Sequence, residues 1–141
     1  MSMFSGVRHL HLRVSDAERA AAFYGQALEM RRVVDKFDGK MIIMVTPGGG
    51  DMFTVSEESV PVEFEADRER VGKIGGIDHF GFEVADIGRF DTALEQVLDA
   101  GAELVNRETI PPGIPSAFVR DPDGYVFQIY GLPEGVKQAM L

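Results

Sequence analysis

The feature that most constrains this chain is that it repeats itself. Displaced by 70 positions, His9 falls on His79, Val14 on Val84, Asp16 on Asp86 and Leu28 on Leu98. Late in each half the displacement becomes 74, because the turn Pro47-Gly48-Gly49-Gly50 corresponds to Asp121-Pro122-Asp123-Gly124 ahead of a final strand-like run. The four extra residues fit best in Thr109-Ile110-Pro111-Pro112-Gly113-Ile114, which reads equally well as a flap beside a cavity or as a plain long hairpin.

Each half opens on alternating residues, His9-Leu10-His11-Leu12-Arg13-Val14 and His79-Phe80-Gly81-Phe82-Glu83-Val84, the period-two pattern of a half-buried strand. A helix start follows. In the first half Ser15 with Glu18 suggests a capping box, and in the second Asp86 suggests an N-cap. Ala20, Phe23, Tyr24, Ala27 and Leu28 then recur at helical spacing, as do Phe90, Ala93, Leu94, Val97 and Leu98, with Gly101 as a stop for the second helix. Three short strand-like runs complete each half: 31–37, 41–46 and 51–56, then 102–107, 115–120 and 125–130. The order is βαβββ, twice. Module one covers about 6–57, a charged linker ending in Gly75-Gly76 covers about 58–75, module two covers about 76–132, and a tail of 133–141 remains. Val60 to Phe64 alternates weakly enough to suggest an edge strand.

At 141 residues, 45% of them hydrophobic, the chain suits a single domain with its own core. A net charge of −9, from 23 acidic and 14 basic residues, argues against a nucleic-acid backbone or an anionic membrane as partner. The absence of cysteine removes disulfides and thiolate metal sites, so any metal would be held by imidazole, carboxylate or amide. No run approaches the roughly 18 apolar residues of a membrane span, and a cytoplasmic location is expected.

HLHLRVSDAERAAAFY over 9–24 and FVRDPDGYVFQI over 118–129 resemble the opening and closing segments of the vicinal oxygen chelate superfamily, which includes glyoxalase I, extradiol dioxygenases and bleomycin resistance proteins. That resemblance implies an α+β fold: two tandem βαβββ modules forming a curved mixed sheet around a central cavity, with helices on the convex face. It also implies a likeness in ligand positions, one on the first and one on the last strand of each module: His9, Thr54, His79 and Gln128. His9, His79 and Gln128 would hold a divalent ion (zinc, iron, manganese, nickel or magnesium), or the protein carries none. Metal-dependent members usually have Glu where Gln128 stands and often Glu or Gln where Thr54 stands, and neutral ligands do little to neutralise a divalent ion. A homodimer is a further implication.

Strand alternation directs His11, Arg13 and Glu83 to the same side as His9 and His79. Arg13 could grip a carboxylate or phosphate through its planar fork, Glu83 could serve as a base, or the two could pair with each other. Met52, Thr54, Ser56, Gln128 and Tyr130 would line the cavity, with Met44, Phe118 and Arg120 adding an apolar wall with a charged edge. Two functions follow. One is an enzyme acting on a small oxygenated molecule, a metal-assisted lyase, isomerase or dioxygenase. The other is a non-catalytic protein that binds and sequesters a small molecule, as bleomycin resistance proteins do.

Overall fold

The computed structural model describes residues 3–61 and 77–140, and the chain divides into two compact units, Met1–Ala66 and Asp67–Leu141. Val60 and Pro61 are described, and Val60 is buried, but the rest of the suggested edge strand to Phe64 lies outside the described residues. The first unit runs β1 (His9–Arg13), α1 (Ala17–Leu28), β2 (Arg31–Lys36), β3 (Met41–Val45) and β4 (Met52–Ser56). The second runs β5 (Phe80–Glu83), a 3-10 turn (Ile87–Arg89), α2 (Phe90–Asp99), β6 (Glu103–Ile110), β7 (Ile114–Arg120), β8 (Val126–Tyr130) and a short α3 (Glu134–Ala139).

The two sheets are topological twins. Their strand orders are β1-β4-β3-β2 and β5-β8-β7-β6, with the first and last strands of each module parallel and the other pairs antiparallel. Each sheet is curved and open. Even the irregularities correspond, since the register slips between Arg32 and Val34 in one and between Leu104 and Asn106 in the other. A βαβββ order places β1 beside β4 because parallel strands need a crossover, which α1 and the β2–β3 hairpin supply.

Register assigns the faces. Leu10, Leu12, Ile42, Met44, Phe53 and Val55 share one side of the first sheet, and that side is covered by the buried stripe of α1: Ala17, Ala20, Ala21, Phe23, Tyr24 and Ala27. Tyr24 is fully buried, with its ring centroid 4.7 Å from that of Phe53. In the second sheet Phe80, Phe82, Phe127, Ile129, Ala117 and Val119 form the corresponding side, with Phe127 packed 5.9 Å from Phe80 and 5.7 Å from Phe82. Phe90, Leu94 and Val97 are the buried stripe of α2.

Several details differ from the sequence reading. The cap of α1 is Asp16, which accepts from the Arg19 amide at 3.0 Å; Ser15 Oγ accepts from the Arg19 side chain, and Glu18 is drawn away to Arg32 at 2.8 Å. Asp86 does cap, but through a 3-10 turn that leads into α2. β6 extends beyond the expected 107 to Ile110, so 109–114, as in the hairpin reading, forms the end of a β6–β7 hairpin closed by the Gly113 amide on the Ile110 carbonyl. The tail contains α3, for which the sequence offered no sign. His79 lies just before β5 and is not part of it.

Truncation of Phe127, which has no exposed surface, to alanine should cost about 3–5 kcal/mol, whereas Asp16→Ala should cost about 1 kcal/mol. Chemical denaturation followed by circular dichroism checks both values and their order.

Candidate functional site

The sides of the two sheets opposite the helices carry the polar residues. On the first sheet this side presents His9, His11 and Arg13 from β1 beside Met52, Thr54 and Ser56 from β4, in direct register. Met44 is not among them. It lies opposite Phe53, on the apolar side, and is fully buried, because β3 places its even-numbered positions toward α1.

His9, His11, Arg13 and Ser56 on this face hold one another or nearby carbonyls. The Nδ1 of His9 is 3.0 Å from the Met52 carbonyl, which can only accept, so His9 is protonated on Nδ1 and directs Nε2 away from the strand. The His11 ring lies 6.5 Å from that of His9 and reaches Ser56 Oγ through Nε2 at 2.7 Å. Arg13 donates to the same Ser56 Oγ at 2.7 Å and to the carbonyls of Glu58 and Val60 at 3.1 and 3.0 Å. Its fork is therefore engaged by its own unit. Thr54 and Ser56 are 1% and 0% exposed and lie beneath their neighbours. Asp51, the carboxylate nearest β4, accepts from both the amide and the hydroxyl of Thr46 and holds the turn.

On the second sheet the polar side presents Gly81 and Glu83 from β5, Gln128 and Tyr130 from β8, and Ser116, Phe118 and Arg120 from β7. Gln128 donates from Nε2 to Ser116 Oγ at 2.8 Å. Glu83 pairs with Lys137 of α3 at 2.9 Å, and burial followed by the Glu83 charge raises the Tyr130 pKa. The Tyr130 ring passes over Gly81, where a β-carbon would sit 3.2 Å from Cε1. His79 donates from Nδ1 to Asp78 at 2.6 Å and meets Phe118 edge-on at 4.8 Å. Arg120 is exposed at the end of β7.

The structure thus groups His9, His11, Arg13, Met52 and Thr54 in one unit, and His79, Glu83, Phe118, Arg120, Gln128 and Tyr130 in the other. Sequence reasoning placed Ser56 on the right face but not at the junction between Arg13 and His11. It missed Ser116, which the alternation of Ser116, Phe118 and Arg120 signals, and Lys137, for which there was no signal.

Two imidazoles, His9 and His79, have Nδ1 held by an oxygen, which leaves Nε2 as the ring nitrogen with the lone pair, as in metal-ligating histidines. The remaining donors do not fit a tightly held divalent ion. Thr54 is buried, Gln128 is an amide tied to Ser116, and no group of three His, Cys, Asp or Glu occurs among the described residues.

A family model described as the Glyoxalase/Bleomycin resistance protein/Dioxygenase superfamily matches residues 6–129. The chain belongs to this superfamily. Its fold is shared with a glyoxalase/bleomycin resistance protein/dioxygenase domain from Frankia (24% identity, 98% of this chain and 99% of that one, TM-score 0.72). It is also shared with the fosfomycin resistance protein FosX of Listeria monocytogenes (17%, 96% and 99%, 0.68) and with a lactoylglutathione lyase from Agrobacterium tumefaciens (20%, 92% and 96%, 0.68). No curated protein sequence matches. No helix among the described residues is long and apolar enough to cross a membrane.

Burial, then the charge of Arg13 and then that of His9, lower the pKa of His11 from its usual 6.5. The unfolded chain therefore takes up a proton that the folded chain resists, and stability falls as pH drops through that value. The loss of melting temperature between about pH 7.5 and 5.5 should be smaller in His11→Gln than in the parent, as read by differential scanning calorimetry.

Proposed function

We propose that the protein binds a small, oxygenated organic molecule by hydrogen bonding and apolar contact on the polar faces of its sheets, without a tightly held metal. The observation that carries this reading is a donor set without a carboxylate: His9 and Thr54 on β1 and β4, His79 just ahead of β5 and Gln128 on β8, with His9 held by a carbonyl, Thr54 buried and Gln128 tied to Ser116. Glu83, the candidate base, is engaged by the ammonium of Lys137 and is not free to meet a substrate without giving up that ion pair. His11, Gln128 and Tyr130 supply directional hydrogen bonds, while Phe118 and Met52 supply apolar surface. A non-catalytic sequestering role fits this chemistry. The homodimer suggested by family membership belongs to the same reading and is measured by sedimentation.

A second reading rests on the orientation of His9 and His79. Imidazoles whose Nδ1 protons are already committed are suited to holding a Lewis acid through Nε2, which would polarise an oxygen of the substrate in a lyase, isomerase or dioxygenase reaction. Elemental analysis of protein purified without chelator, paired with native mass spectrometry, separates the two readings. The binding protein should show metal far below one equivalent per chain and an organic molecule retained under native conditions. Stoichiometric metal that disappears in both His9→Ala and His79→Ala would establish the enzyme instead.

A further inference from the structure

A single buried proton decides which ring nitrogen of His11 carries hydrogen. Ser56 has no exposed surface, and its Oγ is 2.7 Å from Arg13 Nη1 and 2.7 Å from His11 Nε2. A guanidinium has only N–H groups, so the first contact uses a lone pair of the serine oxygen. The serine proton is out of reach of water and needs an acceptor, since a buried donor left without one costs about 1–3 kcal/mol. Among the described residues the acceptor within reach is His11 Nε2. That nitrogen must carry the lone pair, and the proton of the neutral ring must be on Nδ1. The opposite arrangement, with Nε2–H donating to Oγ, would leave the serine proton with nothing to receive it.

The chain of donors therefore runs Arg13 to Ser56 to His11. Arg13 is itself fixed by the carbonyls of Glu58 and Val60, so it cannot swing off the serine without losing both. Each bond in such a chain polarises the next, and the last N–H has a positive charge one hydroxyl behind the ring. His11 is half-buried on the polar face of the sheet, two positions from His9 on the same strand.

We propose that His11 Nδ1–H is the donor by which this face recognises an anionic oxygen, the carboxylate or enolate of a small organic molecule, with Ser56 and Arg13 as positioning residues that fix its tautomer. This rests on the reading that the polar faces bind small molecules, and it names the chemistry that one of them selects. Arg13 thereby acts on the ligand through two intermediaries and does not grip it directly.

Long-range proton–nitrogen correlation spectra of the full chain labelled at histidine nitrogen test the proposal, with His9→Asn and His79→Asn spectra assigning the three rings. His11 should show a protonated Nδ1 and a bare Nε2. Ser56→Ala should turn this into a mixture of tautomers, and Ser56→Thr should restore the original, while amide spectra of both variants report that the fold is kept. Benzoate should shift the His11 nitrogens and benzylamine should not, and Ser56→Ala should weaken benzoate binding roughly three- to tenfold, the value of one hydrogen bond. A protonated Nε2 in the parent overturns the proposal, as does benzoate that leaves the His11 signals unmoved. Neither result touches the broader binding function, which is judged by metal content and retained ligand.

Discussion

The structure depends on one pairing used twice: the first strand of each module lies parallel to its last. Through β1 with β4 and β5 with β8, residues more than forty positions apart come into direct register, His11 beside Thr54 and Gly81 beside Gln128. Parallel neighbours cannot be joined by a tight turn, so a helix and a hairpin must intervene. The helix covers one side of the sheet, and the other side is left to polar residues. The division into an apolar packing face and a polar face is thus a result of connectivity before it is a result of chemistry.

On that polar face, the nearby carboxylates already have partners. Asp51 holds the turn before β4, Asp121 accepts from the amides of Asp123 and Tyr125 in the turn before β8, Asp78 accepts a hydrogen bond from His79, and Glu83 meets Lys137. What is presented outward is therefore mostly uncharged: imidazole, amide, phenol and aromatic ring. Superfamily membership fixes the scaffold and says little about the reaction, because the same scaffold carries a FosX and a lactoylglutathione lyase at below 25% identity. Function must be argued from the donors this chain has.

Much of this was legible in the sequence because it rests on periodicity. The repeat gave the element order, and alternation assigned His9, His11, Arg13, Thr54, Gln128 and Tyr130 to one side of their strands. Met44 was misplaced because alternation tells faces apart within a strand but does not say which face is which; only the pairing of β3 with β4 settles that. The cap of α1 was misread by one residue because both Ser15 and Asp16 are good caps, and the choice turned on where Arg19 and Arg32 draw the competing side chains. The role of Ser56 depends on two side chains meeting one oxygen, and the position of Lys137 depends on a short helix, neither of which leaves a periodic trace.

The closing strands also differ in a way that repetition conceals. Position for position, His11 and Ser56 in the first sheet correspond to Gly81 and Tyr130 in the second. The same diagonal is filled in both, but the ring comes from the opening strand in one and from the closing strand in the other, over a small residue on the opposite side. Bulk has been conserved while its donor has changed strands. A single substitution that made either half resemble its twin would place two rings in one space or none, so the halves are not interchangeable parts.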